Sequence, residues 1–225
     1  MSIASGLVVG GRRRFAPPYR KIEAPPRPVT GAKKVPSAMP VVVRGLLWAA
    51  LLITACAFGP TTVALLMVAA AVIASAPAVM ALPRPVPARS LVLAVGGPFA
   101  AAVSFIIAAV QSDNLALTLA LVVCLYDAAS YINSDGSRTG GRAGVVAGLA
   151  TVAVLALFVG AIFVPPFTGV RPWLVLGITG LMAALGVRLA SRVPGWERLP
   201  GMRRLDSLML AGPVWVILVA TVLQR

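Results

Sequence analysis

From residue 41 onward, apolar positions run in seven long blocks, at about 41–58, 61–82, 91–110, 114–132, 143–164, 171–190 and 206–223. Short polar or proline-bearing breaks separate them. Each block is close to the roughly 20 residues that a helix needs to cross the hydrocarbon of a bilayer. Strict apolar–polar alternation, the pattern of a membrane barrel, is absent, and backbone groups in lipid must be satisfied internally, so the blocks predict helices. Gly59-Pro60 makes a tight break between the first two, and Pro83, Pro85 and Pro87 stop the second. The expected fold is all-α, a polytopic membrane helix bundle with about seven transmembrane helices, the first and last being the shortest.

The first forty residues read differently. They are rich in Pro, Arg and Lys and carry no apolar period that would build a core, which predicts a disordered arm attracted to anionic lipid. The apolar run Gly6 to Gly10 is too short for a signal-peptide core, and Arg12, Arg13 and Arg14 follow it rather than precede it. Two regions are therefore expected: a basic tail over 1–40 and a transmembrane domain over 41–225.

Composition agrees with a membrane protein. Apolar residues make up 59% of the chain, charged residues 12%, and the mean hydropathy is +0.94; a soluble domain carries about one-quarter charged residues. The formal charge of +14 is distributed by topology, because eighteen of the twenty Lys and Arg fall on one side of the predicted helices and only Arg171 and Arg225 on the other. The positive-inside rule then predicts a multi-pass cell-membrane protein with a cytoplasmic N-terminus and an external C-terminus. Nucleic acid is not the expected partner: aromatics are 6% of the chain and do not interleave with basic residues as stacking platforms would. Cys56 and Cys124 lie in apolar blocks, where a thiol acts as a small hydrophobe. Histidine is absent, which excludes His-dependent zinc sites, Ser-His and Cys-His catalysis and imidazole proton relays.

The few acids are informative. Asp127, Asp135, Glu197 and Asp206 fall at or near the predicted cytoplasmic face, and Asp113 lies opposite. Asp127 sits inside the fourth block, about five residues or about 8 Å of helix from its end, and an ionisable group at that depth is a candidate functional residue. Plainer readings exist for each polar group. Asp127 could pair with Arg138 or Arg142, Asp206-Ser207 could cap the last helix, and Arg203 and Arg204 could simply anchor it on the cytoplasmic side. The GxxxG pattern Gly144 to Gly148 reads as helix packing.

Three stretches of the C-terminal half resemble phosphatidate cytidylyltransferases, the CDP-diacylglycerol synthases. The strongest is LPGMRRLDSLMLAGPVW, Leu199 to Trp215, similar to the family's closing L-P-G-H-G-G-x-x-D-R-x-D-S-L and A-x-P run. Leu199, Pro200, Gly201, Arg204, Asp206, Ser207, Leu208 and Pro213 match; the H-G-G element is missing and Arg203 stands where the first aspartate is expected. Asp127 and Tyr131 match a D-x-x-A-Y element at the end of a membrane helix, and Ser137-Arg138-Thr139 only echoes the loop that follows it. In Gly186 to Arg192, Gly186, Leu189 and Ser191 fit G-D-L-x-x-S-x-x-K-R, with Val187 in place of the acid.

The resemblance implies attack of the phosphate of phosphatidate on the α-phosphorus of CTP, forming CDP-diacylglycerol and releasing pyrophosphate. It implies Asp127 and Asp206 as catalytic carboxylates holding one Mg²⁺, with Asp135 nearby. Tyr131, Arg142, Arg204 and Ser207 would bind substrate, and Arg203 is also available to phosphates. Membrane lipids, phosphatidate and CTP are the partners it implies, and a homodimer is left open. The lost acids make weak or absent turnover the expected outcome, and a non-catalytic lipid- or partner-binding relative is the alternative.

Overall fold

Gly59 turns the chain between the first two helices with φ at 96°, a left-handed conformation that glycine adopts without a Cβ penalty, and Pro60 opens the next helix where its missing N–H costs nothing. The computed structural model describes residues 39–133, 141–162, 171–194, 196, 199 and 201–223. Helices α1 (Met39–Ala57), α2 (Pro60–Met80), α3 (Ala88–Gln111), α4 (Asp113–Ile132), α5 (Arg142–Ile162), α6 (Arg171–Ala190) and α7 (Met202–Leu223) account for nearly all of them, and no strand occurs among the described residues. The chain divides after Pro36, so every described residue belongs to the second unit, Ser37–Arg225. The expected tail over 1–40 lies outside the described residues except for its last two positions, which start α1.

Six helices, α2 to α7, are long and apolar enough to cross a membrane. The expected seventh crossing, α1, carries a shorter apolar stretch, Gly45–Ala57, which begins immediately after Arg44. The multi-pass helical class with about seven helices therefore holds, six of them long spans among the described residues.

Local chemistry explains the irregularities. Ser112 caps α4 by accepting the Asn114 N–H at 3.3 Å, with Asp113 in the first turn. In α3, Pro98 has no N–H to give to Ala94, and the helix widens into a π-turn over Val92–Gly96 just before it. Pro77 and Pro213 lie inside α2 and α7, each removing one N–H from the ladder without ending the helix.

α7 packs between α3 and α6; α4 packs on α3, α5 and α6; α1 lies against α2 and α4. The interior is built from Phe105, Leu119, Leu176, Trp215 and Met67 filled in by fully buried Ala71, Ala74, Ala101, Ala116 and Ala211. Small residues are what let helix backbones approach in lipid. The outer surface carries Leu46, Leu65, Val92, Val110, Val146, Phe158 and Leu174, all exposed, the apolar coat expected of a bundle solvated by acyl chains. One end of the bundle collects Arg84, Arg89, Arg142, Arg188, Arg192, Arg203 and Arg204. At the other, Arg171 of α6 donates to the Val222 carbonyl of α7 at 3.3 Å.

Candidate functional site

The arginine-rich end contains the one break in α7. Its first turn, Met202–Leu205, and its main run, Leu208–Leu218, are joined by Asp206 and Ser207, which keep helical dihedrals while the ladder loosens, the Met209 N–H reaching the Asp206 carbonyl only at 3.4 Å. Ser207 uses both of its donors there. Its N–H donates to Asp206 Oδ1 at 2.7 Å, and its hydroxyl donates to Asp127 Oδ2 on α4 at 2.9 Å, across eighty residues of sequence. Asp206 and Ser207 are 3% and 0% exposed. A buried carboxylate such as Asp206 and a half-buried one such as Asp127 need such donors, and one serine supplies both.

The capping reading of this segment is corrected accordingly. Ser207 occupies the cap position of the main run but makes no side-chain cap bond, because its hydroxyl is committed to Asp127. Asp206 accepts from the very next N–H rather than from the second or third residue of the helix.

Glycine decides how close the neighbouring helices come. A Cβ on Gly186 of α6 would lie 2.5 Å from the Asp206 carbonyl oxygen and 3.1 Å from that of Ser207, so α6 rests directly on the backbone of the break. On the other side, a Cβ on Gly148 of α5 would lie 2.5 Å from Ser130 Oγ and 2.7 Å from the Tyr126 ring of α4. The GxxxG reading as packing is consistent with that contact.

These elements enclose a cavity of about 300 Å³ lined by residues of α1, α4, α5, α6 and the start of α7. Its polar wall is Asp127, Tyr131, Arg203, Arg204 and Asp206, and its apolar wall includes Leu46, Trp48, Leu121, Leu125 and Val187. The Arg203 guanidinium stands over the Tyr131 ring, 5.2 Å from its centroid, a cation–π arrangement. Arg204 Nη1 lies 3.5 Å from where a Cβ on Gly45 would be, so α1 closes onto that guanidinium at a glycine. Both arginines interact electrostatically with both carboxylates.

Of the residues singled out in the sequence, Asp127, Asp206, Tyr131 and Arg204 meet in this cavity, and Ser207 stands behind it, joining the two acids. Arg142 is exposed at the start of α5 and is not among the lining residues. Asp135, Arg138 and Glu197 lie outside the described residues. Sequence reasoning missed the contribution of α1, through Gly45, Leu46, Trp48 and Ala49, and the lining thiol Cys124. No local signal marks them, since an apolar block says that a helix crosses lipid and not which face it turns inward. Val187 and Arg203, the two positions where the resemblance leads one to expect acids, both line the cavity.

That last placement bears on metal binding. Mg²⁺ can be held by one or two carboxylates when water and substrate phosphates complete its octahedron, and Asp127 and Asp206 are the pair available. No group of three or more His, Cys, Asp or Glu able to hold a metal occurs among the described residues. One oxygen of each aspartate is engaged by Ser207, and two guanidinium groups share the cavity. The carboxylates that would hold a divalent cation are thus only two, and two guanidinium groups able to take phosphate oxygens stand beside them. No family model matches this chain, and neither a curated protein nor a solved structure matches it.

Proposed function

We propose that this protein is a divergent relative of the phosphatidate cytidylyltransferases that binds a phosphate-bearing lipid in the cavity at its arginine-rich end, with cytidylyl transfer from CTP weak or lost. The observation that carries this reading is the meeting of Asp127 and Asp206 at Ser207, beside Arg203 and Arg204, in a cavity whose remaining wall is apolar. Guanidinium groups bind phosphate oxygens through paired N–H donors, and the apolar wall accommodates an acyl chain. By the positive-inside rule the arginine-rich end faces the cytoplasm, which puts the N-terminus inside and the C-terminus outside the cell membrane.

Transfer between two phosphate anions depends on concentrated positive charge around the reacting groups, and loss of one such stabilising group commonly costs about 100- to 1,000-fold in rate. Any Mg²⁺ would be held by Asp127 and Asp206, and it would supply the charge neutralisation that lets the two anions approach. With an apolar Val187 and a cationic Arg203 in the same wall, turnover is expected to be slow or absent.

Purified protein in phosphatidylcholine nanodiscs, titrated with phosphatidate or CTP and followed by thermal unfolding, tests the reading. A ligand at 100 times its Kd stabilises by about 2.7 kcal/mol, which corresponds to a rise of roughly 5–10 °C for a chain of this size. Stabilisation by phosphatidate that disappears in Asp127→Ala is the expected result, with little CDP-diacylglycerol formed when CTP is added. No stabilisation by either ligand refutes the assignment, and rapid Mg²⁺-dependent turnover refutes the loss of activity.

A further inference from the structure

The cations of the cavity are better placed than Asp206, and as open as the half-buried Asp127, to meet an incoming ligand. Arg203 and Arg204 are both half-buried and line the cavity, whereas Asp206 is 3% exposed and has its Oδ1 tied to the Ser207 N–H. Arg203 is also held in orientation. Its guanidinium carbon lies over the Tyr131 ring, 5.2 Å from the centroid, a cation–π contact that restrains where the group can point. Arg204 lies beside α1 at Gly45, where an added Cβ would stand 3.5 Å from its Nη1. A guanidinium already held in place, as Arg203 is by Tyr131, loses little freedom on binding, which is the usual source of affinity in a preformed anion site.

On these grounds we infer that the cavity binds a phosphate group through the Arg203–Arg204 pair without a divalent cation, Arg203 supplying from the protein the positive charge that a metal would otherwise bring. The inference rests on the proposed lipid-phosphate reading and deepens it. Phosphate is the shared chemistry of a lipid headgroup and a free anion; the apolar wall of Leu46, Trp48, Leu121 and Leu125 favours the lipid. Leu46, Leu121 and Ile132 line the cavity and are exposed on the outer surface as well, so the apolar wall continues onto the face of the bundle that acyl chains cover.

The test uses the full chain in phosphatidylcholine nanodiscs, with dioctanoyl phosphatidate, inorganic phosphate and CTP as separate probes, each in EDTA and in excess Mg²⁺. Phosphatidate affinity should change by less than about threefold between EDTA and Mg²⁺, because two fixed guanidiniums make the charge-assisted bonds in both. Arg203→Ala should weaken it by about 10- to 100-fold, the loss expected for a hydrogen bond to a charged group. Arg203→Lys should recover only part of that, since an ammonium neither forks nor stacks. Tyr131→Leu keeps every cation and removes the ring, with Tyr131→Phe, which keeps the ring and loses the hydroxyl, as its control; a severalfold loss in the first variant alone, with an unchanged unfolding temperature, separates orientation of Arg203 from a folding defect. Binding that vanishes in EDTA overturns the inference while leaving the lipid-phosphate reading in place. Failure of all three probes in both conditions overturns that reading and the inference with it. Inorganic phosphate or CTP binding as tightly as phosphatidate reassigns the site to a free anion and overturns the lipid assignment.

Discussion

The contact between Gly186 and the break in α7 offers a sharp quantitative test of the site. In Gly186→Ala the new Cβ would stand 2.5 Å from the Asp206 carbonyl oxygen and 3.1 Å from that of Ser207. Both atoms are backbone, so no side-chain rotation relieves the overlap. Carbon–oxygen contacts settle at about 3.3 Å or more, which requires α6 and the break to move apart by roughly 0.8 Å. The Ser207–Asp127 bond is 2.9 Å, and a displacement of about that size along it exceeds the limit at which such a bond persists. Overpacking costs about 1–3 kcal/mol and loss of a hydrogen bond to a charged group about 1.5–3 kcal/mol, offset by about 0.5–1 kcal/mol of helix preference for alanine. The net destabilisation is about 2–5 kcal/mol. Gly177→Ala on the same helix is the control, because its Cβ would meet nothing within 4 Å, and it should be neutral or slightly stabilising. Thermal unfolding of both variants in nanodiscs, with phosphatidate binding measured alongside, reads the difference. Equal unfolding temperatures for the two variants, with binding intact in Gly186→Ala, would show that α6 does not brace the break as described.

Other substitutions and fusions probe separate links. Ser207→Ala removes the hydroxyl donor to Asp127 and should destabilise by about 1.5–3 kcal/mol; in a double-mutant cycle with Asp127→Asn, strict additivity would mean that the two residues are not coupled. A reporter active only outside the membrane should give signal when fused after Arg225 and none when inserted after Val42, and the reverse pattern would invert the orientation. Deleting Met1 through Lys34 should leave the unfolding temperature of the membrane portion unchanged, since that stretch carries no core-forming pattern; a collapse in stability would show that the tail packs against the bundle.

How much of this was legible in the chain depends on whether the cause is local. The helix blocks and their breaks were, because length, hydropathy, Gly59-Pro60 and the prolines after Met80 act through backbone chemistry within a few residues. Asp127 was legible for a similar reason: a carboxylate that deep in an apolar block needs partners wherever they come from. The role of Ser207 was not. A serine beside an aspartate at the start of a helix looks like a cap, and the tertiary alternative wins only because α4 brings a carboxylate to the break that needs the hydroxyl more than the first turn does. The Arg203–Tyr131 stack joins α7 to α4 and leaves no local trace. Arg142 was legible as belonging to the right end and to the start of the fifth block, but that it does not line the cavity could not be read from its position in the sequence.

The two departures from the family resemblance gain meaning only once they are located together. Scattered along a sequence, a valine and an arginine in place of acids look like independent losses. In one wall of one cavity they act in the same direction, since the valine removes a site for a cation and the arginine adds a fixed one. At distances of a few ångströms in a poorly solvated site, a guanidinium where a carboxylate would stand offsets the charge of Asp127 and Asp206 instead of adding to it. A pocket altered in this way should retain affinity for the phosphate of a lipid while losing the means to drive that phosphate onto a second anion. On the proposed reading, binding without turnover is the expected outcome, and introducing Arg203→Asp together with Val187→Asp should raise the Mg²⁺ dependence of phosphatidate binding above that of either single variant. If the double variant binds phosphatidate as tightly in EDTA as in Mg²⁺, the charge of this wall does not select between metal-assisted and arginine-borne binding.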